Sequence, residues 1–433
     1  MLAPIGTEML VTGAGPVARP RALTRTVRTE LADILAEGAV EAGFQPVVEL
    51  ATGRVIGWEA LARGPRGSAL ESPDRLFAAA RAAGRLEELD WLCQRNALRA
   101  ALAAGVQAPC ILFLNIEPDT SGFLPLELRD LYARASAQMT VCVEVTERAL
   151  TTRPGALLGH IADMRAMGVA VALDDVGTDA DTLAMMSLLA PEVIKLDLAL
   201  VQNSPDAEIA EVVHAVAAQA ERSGATILVE GVETLEQARA GDALGASLAQ
   251  GWLYGRREVD IELPTLPAIP IVLPGRHADP RDLAPFALVA EHRAPRITTQ
   301  PLLLAMTRHL EDQAANLGGT ALLVAAFDED REFCPQTRLR YAELGRDLAF
   351  CGVVGRGVSD EPAPGVHGAE VLSGDPVGHE WTIAVVGPHF AAALVAHESR
   401  DPAHRGEPVY DYVLTYDRER ATAVAAALTA RVA

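Results

Sequence analysis

The chain has 433 residues, of which 50% are hydrophobic, so it is long enough for about two domains with substantial cores. Its formal net charge of −21 argues against a nucleic-acid partner and against an anionic membrane surface, because either would require a basic surface. The cysteines show no metal-type spacing, no apolar run reaches about 18 residues and no signal-peptide pattern begins the chain, so we expect a cytoplasmic protein with reduced thiols and no membrane span.

Glycine and proline residues divide the chain into predicted segments. Residues 1–22 predict a flexible tail, and apolar positions at helical spacing predict a helix over residues 23–40. A barrel domain is predicted over residues 41–260. Residues 261–275 contain four Leu-Pro or Ile-Pro dipeptides and predict a proline-rich linker, after which residues 276–433 predict a second domain.

Eight short apolar runs between residues 44 and 255 are typical of buried β-strands. Most gaps between them are long enough for a helical crossover, which indicates parallel strands. The first gap, around Thr52 and Gly53, is too short for a helix and predicts an antiparallel hairpin. The sequence therefore predicts an α/β fold, a TIM-like (β/α)8 barrel whose first strand is antiparallel. The runs cover residues 44–50, 55–61, 111–115, 141–145, 169–173, 193–198, 226–230 and 250–255.

Polar residues stand at or near the carboxyl ends of these predicted strands, where barrel enzymes keep their chemistry. They are Glu59, Asn115, Glu144, Asp174, Asp175, Glu230, Glu233 and Gln250. Hard oxygen donors suit Mg²⁺ or Mn²⁺, and the adjacent Asp174 and Asp175 could share a second ion, as in two-metal sites that activate water against a phosphodiester. Lys195 could orient that water or neutralise a phosphate. One carboxylate at a strand end is more often a helix cap or a surface charge, but so many on successive strands favour bound metal.

Eight motifs in this region, all in order, resemble those of the EAL domain family. They are Phe44-Gln45-Pro46-Val47, Gly57-Trp58-Glu59-Ala60-Leu61-Ala62-Arg63, Leu114-Asn115-Ile116, Glu144-Val145-Thr146-Glu147, Asp174-Asp175-Val176-Gly177-Thr178, Ile194-Lys195-Leu196-Asp197, Glu230-Gly231-Val232-Glu233-Thr234 and Gln250-Gly251-Trp252. The resemblance covers residues 41–260. It implies a barrel phosphodiesterase that hydrolyses cyclic di-GMP to linear pGpG with two Mg²⁺ or Mn²⁺ ions, and it implies a homodimer.

The resemblance also implies a role for each matching residue. The implied metal ligands are Glu59, Asn115, Glu144, Asp174, Asp175 and Glu230. The implied catalytic residues are Lys195, which helps to position the water, Glu233, Gln250 and Glu147, which anchors the loop after the aspartate pair. The implied substrate-binding residues are Gln45, Arg63 and Asp197.

The loop after the aspartate pair departs from the family pattern. Family members usually have Gly-Tyr-Ser-Ser there, whereas this chain has Asp179-Ala180-Asp181-Thr182. The change removes the backbone freedom of a glycine and adds two carboxylates beside the predicted metals. Two alternatives to hydrolysis therefore stay open, namely a receptor that binds cyclic di-GMP without cutting it and a scaffold that only transmits a signal.

Residues 276–433 predict an α+β sensor-like domain with a mixed sheet. The predicted strands cover residues 321–327, 351–354, 381–386 and 410–416, and the predicted helices cover residues 299–316, 338–350 and 417–431. Segments from Leu310-Glu311-Asp312 to Tyr412-Val413-Leu414-Thr415-Tyr416-Asp417 resemble the DICT domain, a sensory module. This resemblance implies that an unidentified signal or protein partner acts on the second domain and regulates the barrel.

Overall fold

The computed structural model describes residues 25–117, 124–146, 153–177, 181–197, 199–202, 207–256, 261, 279–329, 333–372, 374–399 and 408–432. The predicted tail at residues 1–22 and all of the predicted linker except Ile261 lie outside the described residues. None of the described helices combines the length and the apolar composition that crossing a bilayer requires.

Eight strands close into a barrel in sequence order. They are β1 Glu41–Glu49, β2 Val55–Arg63, β3 Ile111–Asn115, β4 Thr140–Thr146, β5 Ala170–Val176, β6 Val193–Leu196, β7 Thr226–Val229 and β8 Leu248–Gln250. Strand β1 runs antiparallel to both β2 and β8, and every other neighbouring pair is parallel. The predicted TIM-like barrel with a reversed first strand is therefore confirmed.

The last strand lies earlier in the chain than predicted. Only Gln250 of the run over residues 250–255 belongs to β8. The chain turns at Gly251, where an added Cβ would lie 2.1 Å from the carbonyl oxygen of Val232. Because no side chain fits into that gap, a glycine is required there and the strand ends before it.

Helices of the amino-terminal region cover the outside of the barrel. They are α1 Arg25–Glu37, α2 Pro73–Ala83, α3 Leu86–Ala103, α4 Leu126–Ser136, α5 Pro154–Ala166, α6 Asp181–Leu189, α7 Ala199–Gln202, α8 Ala207–Ser223 and α9 Leu235–Ala243. The buried Leu31 and Ile34 of α1 belong to one apolar cluster with Leu76 and Leu89 of α2 and α3. Helix α1, which occupies most of the segment predicted to be helical, is thus packed on its neighbours.

A seven-stranded mixed sheet forms the core of the second domain, with strand order β12-β11-β10-β13-β14-β15-β9. The strands are β9 Arg296–Thr299, β10 Leu322–Glu329, β11 Phe350–Arg356, β12 His367–Glu370, β13 Glu380–Val386, β14 Ala391–Glu398 and β15 Val409–Thr415. The helices are α10 Pro285–Ala290, α11 Gln300–Leu317, α12 Pro335–Asp347 and α13 Arg418–Thr429. The predicted mixed sheet is confirmed.

Three strands of this sheet, β9, β12 and β14, were not among the predicted elements. Strands β9 and β12 have only four residues each, too few for a clear alternation of side chains. Strand β14 contains four alanines, and alanine favours helix over strand. It nevertheless pairs along its length with β13 and β15, because its apolar residues are buried between the layers of the domain.

Candidate functional site

The register between neighbouring strands places most of the predicted site residues at one end of the barrel. Gln45 of β1 lies opposite Glu59 of β2, and Asn115 of β3 lies opposite Glu144 of β4. Asp174 follows on β5, opposite Thr146 of β4. Parallel strands share the end at which they terminate, so side chains that are far apart in the sequence meet there.

A buried lysine lies at the centre of this cluster. Nζ of Lys195 is 2.6 Å from Oε1 of Glu144, 2.9 Å from Oδ1 of Asp174 and 2.7 Å from Oε1 of Glu230. The Lys195 side chain is only 1% exposed, so these carboxylates must balance a charge that bulk solvent scarcely screens. Lys195 is also the only lysine among the 37 lysine and arginine residues of the chain. An ammonium is a compact charge that fits between three carboxylates, whereas a guanidinium is larger and planar.

Negative charge exceeds positive charge at this site. Burial, followed by repulsion from Glu59, raises the pKa of Glu144 well above its ordinary value. Burial raises the pKa of Glu230 to about 8, although the nearby Lys195 opposes this shift. Burial alone would lower the pKa of Lys195, but the surrounding carboxylates raise it well above the ordinary value. A bound divalent cation would neutralise this excess of carboxylate charge.

Buried oxygen atoms without hydrogen bonds show that these residues fit metal ions. Among the described residues, no hydrogen bond of normal geometry reaches either carboxylate oxygen of Glu144 or Oδ1 of Asp174, although Lys195 Nζ lies at ion-pair distance. One carboxylate oxygen from each of Asp174, Asp175 and Glu230 lies within 4.8 Å of the others. Hard oxygen donors at this spacing suit Mg²⁺ or Mn²⁺.

An irregular backbone lets both adjacent aspartates serve the same site. Successive residues of a regular strand point to opposite faces, which would separate Asp174 from Asp175. The pairing of β5 with β6 shifts between Leu173 and Val176, and Asp175 has a left-handed backbone with φ of 59°. Aspartate is one of the few residues that accept this conformation at modest cost. Partial burial and the charge of Asp174 also raise the pKa of Asp175.

Amide side chains hold Glu59 in place. Nδ2 of Asn115 donates to Oε1 of Glu59 at 3.0 Å, and Nε2 of Gln250 donates to the other carboxylate oxygen. Nε2 of Gln250 also lies 3.2 Å from Oε1 of Gln45, whose own amide donates to the carbonyl of Gly255. This network joins β1, β2, β3 and β8, so Glu59 is fixed where the barrel closes.

The other predicted site residues lie around this cluster or outside the described residues. Arg63 ends β2, is partly exposed and makes no ion pair with any described residue. Asp197 follows β6, and its Oδ1 accepts the N–H of Ala199 at 2.6 Å. Glu233 is exposed, and within the described parts of the chain no hydrogen bond or ion pair joins its side chain to the carboxylate cluster. Glu147 lies outside the described residues.

A cavity of about 660 Å³, partly lined by Asn115, contains polar residues that the sequence analysis did not single out. Asp90 of α3 is buried there, and burial raises its pKa well above the ordinary value. Its carboxylate accepts Nε2 of Gln94 at 2.6 Å and the N–H of Glu117 at 3.2 Å, and Tyr132 in turn donates to Gln94. Asp90 and Gln94 are four residues apart among the buried residues of α3, and a polar pair at that spacing on an apolar helix face could have indicated the network.

Comparison with known families identifies both domains. The profile of the EAL domain matches residues 28–257. The profile of the DICT domain, described as a sensory domain in diguanylate cyclases and two-component systems, matches residues 285–399. Both resemblances seen in the sequence are therefore confirmed.

Several curated relatives are similar to the barrel region. The cyclic di-GMP phosphodiesterase RocR of Pseudomonas aeruginosa is 32% identical over 253 residues, which cover 55% of this chain and 63% of RocR. The cyclic di-GMP phosphodiesterase NbdA of the same organism is 30% identical over 238 residues, covering 52% of this chain and 30% of NbdA. The chain thus spans less than two thirds of the length of either relative.

Solved structures that match part of this chain include BlrP1 of Klebsiella pneumoniae, described as a complex with manganese and cyclic di-GMP. It is 30% identical, with a TM-score of 0.44 and coverage of 51% of this chain and 56% of that one. The phosphodiesterase PaMucR, described as a complex with cyclic di-GMP, is 25% identical, with a TM-score of 0.46 and coverage of 54% and 97%. Because the EAL profile matches more than half of its residues, this chain belongs to the EAL-domain family.

Proposed function

We propose that this protein hydrolyses cyclic di-GMP to linear pGpG with two Mg²⁺ or Mn²⁺ ions. The observation that carries the proposal is the arrangement of Glu144, Asp174 and Glu230 around a single buried lysine at the carboxyl ends of the barrel strands. A cluster of buried carboxylates with a nearby cation is typical of catalytic sites whose pKa values are shifted for function. The similarity to two cyclic di-GMP phosphodiesterases supports this choice of substrate.

Different residues would bind the metal ions, orient the water and bind the substrate. Six residues would hold the ions, namely Glu59, Asn115, Glu144, Asp174, Asp175 and Glu230. Bound divalent ions supply a lowered pKa for water and neutralise charge on the phosphate. Lys195 donates a hydrogen bond that orients the water towards phosphorus, and Arg63 pairs with a phosphate oxygen of the substrate. The water gives up a proton as its oxygen forms a bond to phosphorus, the bond from phosphorus to the leaving ribose oxygen breaks, and that ribose oxygen takes up a proton.

The remaining site residues and the neighbouring cavity are assigned supporting roles. Gln250 and Gln45 keep Glu59 oriented, and Asp197 contributes to substrate binding. The cavity lined by Asn115 falls within the size range of small-molecule pockets, so it is large enough for one base of the dinucleotide. The catalytic roles of Glu233 and Glu147 stay predictions from the family resemblance.

A chromatographic assay of cyclic di-GMP tests the proposal. The purified full chain is incubated with Mg²⁺, with Mn²⁺ or with a chelator, and the products are separated. We expect pGpG only with metal, and we expect none from Glu59→Ala. A matched control is Glu127→Ala, which removes a carboxylate that is 61% exposed on α4 and pairs with Arg99, and which should leave turnover unchanged. Intact substrate in every reaction of the unaltered chain would refute hydrolysis.

A receptor that binds cyclic di-GMP without cutting it is the second candidate. The altered segment Asp179-Ala180-Asp181-Thr182 favours it, because two added carboxylates change the field beside Asp175. Binding measured by calorimetry in chelator, with no product in the chromatographic assay, would support the receptor. Metal-dependent turnover would exclude it.

The remaining proposals concern the cellular compartment, the oligomeric state and the regulation of the barrel. We infer from the family resemblance that the protein is a cytoplasmic homodimer and that the DICT domain regulates the barrel in response to an unidentified signal. Sedimentation of the purified protein would test the dimer, with a monomer at micromolar concentration as the contrary result.

A further inference from the structure

Helix α6 is buried on all sides from residue 183 to its end, which is unusual for an outer helix of a barrel. Such a helix normally turns one apolar face to the strands and a polar face to water. Every residue from Leu183 to Leu189 is buried, including Met185 and Met186. The solvent side is covered by the second domain, because α13 and residues 318–320 pack against α6.

Helix α5 makes a still closer contact with the same domain. An added Cβ on Gly155 would lie 2.0 Å from the carbonyl oxygen of Val432 and 2.9 Å from that of Thr429. The first turn of α5 therefore touches the backbone at the end of α13, which only a glycine allows. Apolar residues of the barrel, of α5, of α6 and of α13 form a single continuous core cluster.

Polar contacts fasten residues 279–283, which precede α10, to both sides of this interface. Nη2 of Arg281 lies 2.6 Å from Oδ1 of Asp163 on α5. On the other side, Arg431 just after α13 pairs with Asp375 at 2.7 Å and donates to the carbonyl of Leu283 at 3.4 Å. An unfavourable effect also acts here, since burial, followed by the charge of Arg222 on α8, lowers the pKa of Arg418 on α13 to about 10.

The covered helices are the two that flank β5 in the chain. Helix α5 leads into β5, and α6 follows it closely, beginning at Asp181. Between them, Asp175 holds its left-handed conformation, and an added Cβ on Gly177 would lie 2.6 Å from the side chain of Leu200. A strained backbone persists only where its surroundings hold it, so the packing of α5 and α6 bears on the position of the aspartate pair.

We propose that the DICT domain docks on α5 and α6 as an intramolecular partner and that this docking fixes the position of the carboxylates of β5. In the docked state, this face of the barrel is unavailable to a second copy of the chain. The consequence for metal binding rests on the proposed function, whereas the docking and its effect on the backbone of β5 do not.

A pair of glycine variants in the full chain tests the proposal. Gly155→Ala introduces a Cβ where the backbone of α13 lies and should separate the domains. Gly159→Ala, one turn further along α5, is the matched control, because its Cβ would meet only the flexible side chain of Arg281 at 3.5 Å. Alanine has a higher helix propensity than glycine, so neither substitution destabilises helix α5 itself.

Three readouts distinguish docking from activity. Hydrogen exchange followed by mass spectrometry reports on α6. Since Lys195 is the only lysine, selective lysine labelling gives one backbone amide resonance from the site itself. A titration with Mg²⁺, followed through that resonance, gives an affinity without any turnover.

We expect Gly155→Ala to speed exchange in α6, to shift the Lys195 resonance and to weaken Mg²⁺ binding about tenfold, as is typical when the support of a metal ligand is lost. Gly159→Ala should change none of these. The proposal is overturned if Gly155→Ala leaves exchange and the resonance unchanged, or if exchange rises while the resonance stays in place. If Gly155→Ala does not fold, Arg281→Gln breaks the contact with Asp163 without adding volume, and the same results apply. A chain that binds Mg²⁺ but leaves cyclic di-GMP intact would refute the proposed function and leave this inference standing.

Discussion

Replacing Lys195 by methionine removes the cation that lies among the buried carboxylates of the described residues while keeping most of the side-chain volume. The ammonium lies 2.6 to 2.9 Å from three carboxylate oxygens, so its loss leaves uncompensated charge in a largely buried site. Removal of one partner of a buried ion pair costs about 3–5 kcal/mol. The lower end applies here, because Asp174 and Glu230 are 11% and 19% exposed and keep some solvation.

Thermal unfolding monitored by circular dichroism measures this cost. A loss of about 3 kcal/mol lowers the midpoint of a domain of this size by roughly 6–12 °C in chelator. Added Mn²⁺ should raise the midpoint of the variant most of the way back to that of the unaltered chain in chelator. A ligand at about 100 times its Kd stabilises the folded state by about 2.7 kcal/mol. The control is Arg99→Met, which breaks an exposed pair with Glu127 and should change stability by less than about 0.5 kcal/mol.

Equal midpoints for Lys195→Met and the unaltered chain in chelator would refute the reasoning, because they would mean that the carboxylates need no cation. A lower midpoint that Mn²⁺ does not raise would refute the metal assignment alone. Turnover of cyclic di-GMP should fall at least about 100-fold in this variant even with metal, since the group that orients the water is missing.

Three further predictions concern other positions. Burial raises the pKa of Glu380 to about 7, so folding favours its protonated form, and the free energy of unfolding should decline as the pH rises from about 4.5 through 7. Glu380→Gln should remove up to about 3 kcal/mol of that decline. Identical pH profiles of the variant and the unaltered chain in urea unfolding would contradict this. Thr234→Ala removes the hydroxyl that accepts the N–H of Gln237 in the capping box of α9 and should cost about 1 kcal/mol in the same assay, with an unchanged midpoint as the contrary result. Asp175→Asn keeps a side chain that tolerates the left-handed backbone but removes a charge, so calorimetry should show weaker Mn²⁺ binding at nearly unchanged stability; equal affinity would exclude Asp175 as a ligand.

The sequence alone determined the barrel and most of the residues brought together at its mouth. Buried parallel strands have a simple signature, since both faces are apolar and each run ends where the chain leaves the sheet. The polar residues towards the carboxyl end of each run are therefore visible in the sequence, as with Asn115, Glu144 and Asp174, and so is Glu59 within β2. The reversal of the first strand was also visible in the sequence, because the short gap at Thr52 and Gly53 leaves no room for a crossover helix.

Tertiary structure decided the features that depend on contacts between distant segments. The central position of Lys195 among three carboxylates follows from the closure of the barrel, which no local pattern encodes. Strand β14 is held by its neighbours against the helical preference of its alanines. Helix α6 shows the reason most clearly: its sequence indicates burial on every side, but only packing between the two domains determines that α13 covers it. Local preference fixes which surfaces must be buried, and long-range packing chooses their partners.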